Sequence, residues 1–384
     1  MKGFSMRVRF LSGCLGLLAW MGTQAVCAAP TLYAVNPFGN AGDAPGTFGL
    51  YALHPADGSV MASHTITVPS RTIIGANGLT MDPGTHVAYA IVRAQGVSGR
   101  LLVTLDLSTG VGTEVGNLGD NFSSIAFRAD GQLLGVTGDG ATVPETLYTI
   151  DKATATTALA VPLGNGADGE VIAYNPLTDE LHHFSGNGTA IHERFPATAP
   201  YTPITPVSTG SREVFGAVWD PSQNRFYVTD IASELRTMAV DGTQGPLLGV
   251  MVNDLRGLIL QLDQTLAFTP TPTAVAGMAP VGLVATAGPS TQPVVFSTPS
   301  ASTICTVSGS QVTYVGPGTC TLVAEQAGDA SYAAAPAVSV DVLVTAAPPA
   351  SVSAQPVPTL GTWALGSLAG LLGVFGLRRQ RTGA

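Results

Sequence analysis

The chain has 384 residues, of which only 11% are charged, while glycine and proline number 46 and 27. Few charges and many turn formers favour short strands over surface helices, and the length fits two domains better than one core. Without Lys2, Arg7 and Arg9, which belong to the N-terminal segment described next, 13 basic and 25 acidic residues give a net charge of −12. A surface of that sign repels phosphate backbones, which argues against nucleic-acid binding.

The N-terminus has the pattern of a secretory signal peptide. Basic residues precede an apolar run over residues 10–21, and small residues follow it. We assign the signal peptide to residues 1–28 and place cleavage between Ala28 and Ala29. The remaining chain is therefore expected to fold outside the cytoplasm.

Residues 29–264 contain a repeat. Four segments share an apolar strand, an Asp or Asn, a turn and a second strand. The turn residues are Asp82, Asp130, Asn175 and Asp220, with spacings of 48, 45 and 45, and Asp263 follows at a spacing of 43. A period near 45 residues with about four strands per unit is the signature of a β-propeller. Over residues 31–263 the pattern resembles the YncE-like class of bacterial propellers.

The first repeat has no inner strand of its own. Residues 31–39 match the second strand of a unit, and residues 256–261 form an extra inner strand with no unit after it. Pairing these two segments closes the ring and gives five blades. Further strands within residues 36–47 would make six.

A second domain is expected over residues 266–345. Its phrases FSTPS, CTVSG, GTCT and AGDASY resemble the Ig-like repeat common in bacterial surface proteins, which implies a β-sandwich. Cys305 and Cys320 are the only cysteines outside the signal peptide. Since an exported chain meets an oxidising compartment, we expect a disulfide between them, with two free thiols as the alternative. Residues 346–356 form a Pro/Ala/Ser-rich linker.

The tail predicts a transmembrane helix. Residues 357–377 are 21 positions without a charge, and a helix of that length spans roughly 30 Å. The arginines that follow are expected to stay cytoplasmic, which places the body outside the membrane. A buried helix of a globular domain is the alternative.

The same tail, residues 357–381, resembles the IPTL-type C-terminal sorting signal (IPTL-CTERM) of Gram-negative bacteria. The residues that carry the resemblance are Val357, Pro358, Thr359, Leu360, Trp363, Arg378, Arg379 and Arg381. The sequence departs from the pattern at Val357, where Ile is usual, and at Ala364, where Gly is usual. The resemblance implies insertion in the inner membrane, recognition by an exosortase-like enzyme, and transfer of the body to the cell surface or the medium.

Candidate metal or catalytic residues are few. The sequence has no nucleophile elbow, phosphate loop or zinc-protease motif. His182, His183, His192 and Glu193 form one local cluster, but adjacent strand residues point to opposite faces, so at most one of the first two joins His192. These residues are expected to be ordinary surface residues of a blade.

The sequence leaves two interpretations open for each of two further groups of polar residues. Asp120, Asn121 and Asp139 could ligate calcium, although turns favour Asp and Asn for backbone reasons. Asp168 and Glu170 form a carboxylate pair that either faces the channel or is solvated. The cations expected to line the channel are Arg71, Arg128 and Arg212.

The sequence thus predicts an all-β protein, a five-bladed β-propeller followed by an Ig-like β-sandwich, with a signal peptide and a C-terminal transmembrane helix. We expect an exported, membrane-anchored or surface-sorted protein without enzymatic activity, cofactor or metal, whose propeller binds an extracellular or envelope ligand. The alternative is a surface-displayed, lactonase-like propeller hydrolase with a metal on the ring axis. That alternative requires three or more oxygen or nitrogen ligands converging there.

Overall fold

The computed structural model describes residues 30–37, 49–164, 168–186, 190–210, 212–251, 254–329 and 331–348, and residues 361, 363–364, 366–367 and 369–371 of the tail. Within these ranges the protein is almost entirely β-structure. The predicted signal peptide and its cleavage site at Ala28 and Ala29 lie outside the described residues.

The first twenty strands belong to the repeat region. They are β1 (Thr31–Val35), β2 (Gly49–Leu53), β3 (Val60–Thr65), β4 (Ile73–Met81), β5 (Ala88–Ala94), β6 (Leu101–Leu105), β7 (Gly112–Asn117), β8 (Phe122–Phe127), β9 (Leu133–Thr137), β10 (Thr146–Ile150), β11 (Thr157–Pro162), β12 (Asp168–Asn175), β13 (Glu180–Gly186), β14 (Ala190–Pro196), β15 (Thr205–Gly210), β16 (Val214–Asp220), β17 (Arg225–Asp230), β18 (Glu234–Met238), β19 (Gln244–Val250) and β20 (Arg256–Gln261).

These strands form five four-stranded antiparallel sheets. Four of them take consecutive strands, β4–β7, β8–β11, β12–β15 and β16–β19, and the fifth has the order β20-β1-β2-β3. The innermost strands β20, β4, β8, β12 and β16 contact one another in that order, and β16 contacts β20 again. The five sheets therefore surround a common axis as a closed ring.

The ring closes where the sequence predicted, between the two ends of the repeat region. Strand β1 pairs antiparallel with β20, placing Thr31 opposite Gln261 and Tyr33 opposite Ile259. Because β20 supplies the innermost strand of the sheet that contains β1, β2 and β3, the two ends of the repeat region share one set of backbone hydrogen bonds. This pairing gives β1 a partner on each side, while β20 remains the terminal strand of the sheet and contacts β4 and β16 around the axis.

The periodic Asp and Asn residues hold the turns between the first and second strands of the sheets. Each accepts a hydrogen bond through its side-chain oxygen from the backbone N–H two positions later, which is the Asx-turn geometry. The pairs are Asp82 with Gly84 (2.9 Å), Asp130 with Gln132 (3.1 Å), Asn175 with Leu177 (3.0 Å) and Asp220 with Ser222 (3.0 Å). The period seen in the sequence therefore reflects a local requirement of the backbone, repeated once in each of these sheets.

Asp82 also joins two neighbouring sheets. Its carboxylate is fully buried and pairs with Lys152, the only lysine outside the signal peptide, whose ammonium lies 5.5 Å from the centre of the Phe127 ring. Burial raises the pKa of Asp82, but hydrogen bonds from Lys152, Gly84 and Thr85 hold the pKa below its ordinary value. The carboxylate is thus charged in the folded protein, and Lys152 is its counter-ion.

Replacing Lys152 with methionine is expected to destabilise the ring by about 1–2 kcal/mol, because the buried Asp82 loses its partner. The loss is kept moderate because the lysine side chain is 35% exposed and screened by water. Urea unfolding measures it. The matched control is Arg71→Met, which removes the more exposed pair with Glu114 and should cost less than about 0.5 kcal/mol. Equal losses in the two variants would contradict this role of Lys152.

The last nine strands form a separate group of sheets. They are β21 (Leu266–Phe268), β22 (Thr273–Val275), β23 (Val281–Gly282), β24 (Ala285–Ala287), β25 (Val294–Ser297), β26 (Cys305–Ser308), β27 (Gln311–Tyr314), β28 (Gly318–Gln326) and β29 (Val338–Thr345). Their sheets have the orders β22-β29-β28-β25, β23-β27-β26 and β21-β24.

These sheets enclose one apolar core. It includes Tyr314, Leu322 and Val342, all at most 1% exposed. Cys305 and Cys320 lie in the same core and are joined by a disulfide, which confirms the predicted pairing. The bridge links β26 to β28, which belong to different sheets.

The C-terminal tail is described only in part. Residues 363–364, 366–367 and 369–371 are helical, and the Trp363 side chain is 92% exposed. Among the described residues, no helix is long and apolar enough to cross a membrane. Val357, Pro358, Thr359, Leu360, Arg378, Arg379 and Arg381 of the predicted sorting motif lie outside the described residues, as does most of the predicted transmembrane segment.

Candidate functional site

The two openings of the ring differ in chemistry. The innermost strands run in the same direction, so their last residues meet at one opening and their first residues at the other. The opening where the last residues of these strands meet leads to a cavity of about 220 Å³. This cavity is lined mainly by apolar residues such as Leu79, Ile125 and Ile172. Ser331 of the second group of sheets also borders it. We call this the apolar opening.

The other end, which we call the polar opening, holds a cavity of about 340 Å³. Its lining includes the polar residues Asn77, Arg93, Arg100, Asn121, Ser123, Asp139, Glu213 and Arg256. A neighbouring cavity of about 380 Å³ shares Arg93, Arg100 and Asn121. The volume lies in the usual range of small-molecule sites, although the lining is more polar than in most of them.

Two strands and one connecting loop bring the three arginines to the polar opening. Arg93 lies near the end of β5, Arg100 directly precedes β6, and Arg256 is the first residue of β20. The position of Arg100 is fixed by its backbone N–H, which donates to the Asp120 carbonyl at 3.1 Å. The polar opening therefore receives cations from a strand end, a connecting loop and the strand that closes the ring.

The three arginines are held differently. Arg256 pairs with Asp254 at 3.0 Å, and its guanidinium lies 4.0 Å from the centre of the Phe215 ring. Arg93 donates to the Ile74 carbonyl at 3.2 Å. The Nε atoms of Arg93 and Arg100 are both buried and have no hydrogen-bond partner in the described part of the chain. Burial, together with the charges of Arg93 and Arg256, lowers the pKa of Arg100 to about 10, so it is still protonated at neutral pH.

The arginines predicted to line the channel are mostly elsewhere. Arg71 pairs with Glu114 at 2.6 Å, and Arg212 pairs with Glu234 at 2.7 Å. Of the three predicted arginines, only Arg128 borders the channel, at the apolar opening, where it pairs with Asp130 at 2.9 Å. The prediction was wrong for Arg71 and Arg212 because both precede an innermost strand and turn towards carboxylates.

The histidine cluster divides between two faces of the β12–β15 sheet, as strand alternation predicted. The expectation of surface residues was wrong, because the cluster packs inside the ring and each member is at most 3% exposed. On one face His183 lies between two carboxylates: its Nδ1 is 2.9 Å from Glu193 Oε1, and its Nε2 contacts Glu170 Oε2. Ser185 donates to Glu170 Oε1 at 2.7 Å. Burial lowers the pKa of His183, but hydrogen bonds to Glu170 and Glu193 outweigh burial and raise the pKa to about 9. His183 is therefore an imidazolium at neutral pH.

Glu170 is consequently not the solvated carboxylate that one reading of the sequence expected. It is 1% exposed, because the antiparallel pairing of β12 with β13 sets it against His183. Its backbone carbonyl accepts a hydrogen bond at 2.7 Å from Ser123, which lines the polar opening. The buried network thus lies directly behind that opening.

The other face of the sheet carries a neutral histidine pair. His182 Nδ1 is 2.9 Å from His192 Nε2, so one ring donates and the other accepts. Both rings pack among phenylalanines, Phe184 beside His192 and Phe226 beside His182. Burial lowers their pKa values to about 3 and about 4. Within the described residues, no group of three or more His, Cys, Asp or Glu is arranged to hold a metal ion.

The candidate calcium ligands at residues 120, 121 and 139 serve the backbone. Asp120 Oδ1 accepts hydrogen bonds from the N–H groups of Asn121 and Thr142, both at 2.8 Å. Asn121 Nδ2 donates to the Asp139 carbonyl. These contacts match the turn explanation that the sequence left open beside calcium binding.

Comparison with known proteins bears on the tail. Residues 355–382 match the IPTL-CTERM motif. This match supports the predicted C-terminal sorting signal, which the sequence placed at residues 357–381. A search of curated proteins finds no match.

Several solved structures are distantly similar. They include TolB from Acinetobacter baumannii (12% identity, TM-score 0.39, covering 81% of this chain and 63% of that chain), the periplasmic gluconolactonase PpgL from Pseudomonas aeruginosa (14%, 0.36, 81% and 96%) and hydrazine synthase from Kuenenia stuttgartiensis (10%, 0.34, 50% and 57%). The chain thus spans less than two thirds of the TolB and hydrazine synthase chains. Likenesses this distant carry no functional conclusion.

The sequence reasoning missed Arg93, Arg100 and Arg256. One signal was available, since residues 256–261 had been identified as an innermost strand and Arg256 is its first residue. No comparable signal existed for the other two, because they reach the opening from a second strand and from a loop.

Proposed function

We propose that the protein is an exported, surface-sorted binding protein without enzymatic activity. In this proposal the ring is a five-bladed β-propeller that presents its polar opening to a ligand. The second group of sheets is an Ig-like β-sandwich, and the Pro/Ala/Ser-rich linker holds both away from the membrane. The observation that carries the proposal is the match of residues 355–382 to the IPTL-CTERM motif.

The tail chemistry supports this route to the surface. Residues 357–377 carry no charge, and three arginines follow, an order that leaves the C-terminus cytoplasmic and the body in the periplasm. An exosortase-like enzyme would then recognise Pro358, Thr359 and Leu360 in the membrane and release the body for transfer to the cell surface. The acidic body, with one lysine, suits a soluble envelope protein with no affinity for nucleic acid.

The binding role follows from the polar opening. It is concave and is lined by side chains from several sheets, including three guanidinium groups. Such groups fix the orientation of a ligand through directed hydrogen bonds. The ligand is expected to come from the cell envelope or from outside the cell.

Intact-mass measurement on fractions of the native host tests the sorting step. The wild-type protein is expected at the surface or in the medium, with a mass lacking residues 1–28 and the segment beyond about Leu360. The double variant Pro358→Ala, Thr359→Ala should keep its tail and remain in the inner membrane. Pro348→Ala, in the linker outside the matched motif, is the matched control and should be sorted normally. A wild-type mass that retains the tail arginines, found only in the inner membrane, would contradict sorting.

A further inference from the structure

The polar opening of this strongly acidic protein gathers three arginines, beside the carboxylates of Asp139 and Glu213. Residues 30–348 contain nine arginines, and three of them, Arg93, Arg100 and Arg256, line this one cavity. The body therefore places a third of its arginines at one site, although its surface as a whole repels anions.

Arg100 differs from the other arginines of the body. At least seven of the nine form an ion pair within 4.0 Å: Arg71, Arg128, Arg194, Arg212, Arg225, Arg236 and Arg256. Arg100 forms none with any described residue. Its Nε atom is buried without a hydrogen-bond partner there, a feature that it shares with the Nε atoms of Arg93, Arg128 and Arg225. A buried donor on a charged group that lacks a partner costs free energy, so the ligand-free protein holds Arg100 at a loss.

We propose that Arg100, with Arg93 and Arg256, binds the oxyanion group of a small ligand, a carboxylate or a phosphate, at the polar opening. The inference rests on the proposed function, since it names the ligand chemistry of the same opening. A guanidinium group suits this task because its planar fork donates two parallel hydrogen bonds to an oxyanion. Asn77, Asn121 and Ser123 line the same cavity and add neutral polar groups for the rest of the ligand.

The electrostatics agree with this geometry. Because burial and two neighbouring cations lower the pKa of Arg100, its charged form is disfavoured while the site lacks an anion. An oxyanion beside the guanidinium reverses that effect and supplies the missing acceptor. The loss of stability at Arg100 in the ligand-free protein is then the cost of a prepared binding site.

Calorimetric titration tests the site with three probes: galacturonate, inorganic phosphate and galactose, which has the shape of galacturonate without its charge. At low salt, at least one of the two anions is expected to bind and galactose is not. Arg100→Gln should weaken the binding about tenfold or more, because it removes the charge-assisted hydrogen bonds to the oxyanion. Arg71→Gln makes the same change of charge outside the cavity and should leave the affinity within about twofold.

The outcomes separate the ligand sources. Binding of galacturonate alone indicates a sugar carboxylate, and binding of phosphate alone indicates a phosphate group. Failure of both anions to bind, or equal weakening by Arg71→Gln, would overturn the anion site. The sorting measurement is independent of this result, so either proposal can fail while the other holds.

Thermal unfolding of the ligand-free protein gives a second readout. A binding role and a purely structural role of Arg100 predict changes of opposite sign in the Tm of Arg100→Gln. Arg100→Gln removes a poorly partnered buried charge, and its Tm should rise by about 2–4 °C. A lower Tm would show that Arg100 serves the fold. If this variant does not fold, Arg100→Lys keeps the charge without the fork, and undiminished anion binding by it would count against the proposal.

Discussion

Replacing His183 with leucine is expected to destabilise the protein by about 3–5 kcal/mol at pH 6, because it removes the cation between two buried carboxylates. Glu170 and Glu193 are 1% and 0% exposed, and both bond to His183. Without the imidazolium, the folded protein must bury both carboxylates uncompensated or take up protons. Urea unfolding gives the free energy directly.

The same network makes the stability depend on pH in a defined direction. The pKa of His183 is raised from its ordinary 6.5 to about 9, so the folded protein holds the proton more tightly than the unfolded chain. The resulting stabilisation, about 3 kcal/mol, is fully present below pH 6.5 and is lost as the pH rises through about 9. In the leucine variant this alkaline loss should be absent.

Two features sharpen this measurement. His182 and His192, on the other face of the sheet, have pKa values lowered to about 3 and about 4, so their effect is the reverse: stability falls as the pH drops below 6.5. This loss of stability at acidic pH should persist in the His183 variant. Glu145, whose pKa is raised by burial and by Glu170, is the further titrating group beside the network.

The control for His183→Leu is His64→Leu, on the outer strand β3, which should cost no more than about 0.5 kcal/mol. If the His183 variant still lost stability as the pH rose from 6.5 to about 9, the imidazole would not be the charged partner of these carboxylates.

The fold was predictable to the extent that its signals are local. Asp82, Asn175 and Asp220 recur because each turn needs an acceptor for the N–H two residues later, and that need leaves a period in the sequence. The pairing of β1 with β20 was inferable because each segment lacked a partner within its own repeat. The disulfide followed from the number of cysteines and the compartment.

The site was much less predictable, because its residues meet through register and loop shape. Glu170 and His183 are brought together by the pairing of β12 with β13, and nothing in the local sequence of either indicates the other. Arg100 enters the polar opening from a loop whose path depends on a backbone bond to Asp120. Arg71 and Arg212, selected by their proximity to innermost strands, have carboxylate partners that lie 43 and 22 residues away in sequence.

Reduction of the disulfide is expected to destabilise only the second group of sheets, by about 3 kcal/mol. The bond between Cys305 and Cys320 closes a loop with a sequence separation of 15, and a loop of that length removes about this much free energy from the unfolded chain. For a unit of about 80 residues the melting temperature should fall by roughly 15 °C. Scanning calorimetry with and without a reductant measures this change.

The ring provides an internal control for this experiment. Outside the signal peptide the chain has no cysteine other than Cys305 and Cys320, so a reductant has no target in the ring and its transition should stay in place. The double variant Cys305→Ala, Cys320→Ala should melt like the reduced protein and be unaffected by the reductant. A parallel shift of the ring transition would instead show that the two parts unfold as one cooperative unit. The hydrogen bonds of Leu262 with Ser331 and Ala333, and those of Gln264 with Ala327 and Ala333, would then couple the second group of sheets to the ring. Leu262 directly follows β20, and Gln264 lies three residues beyond its end.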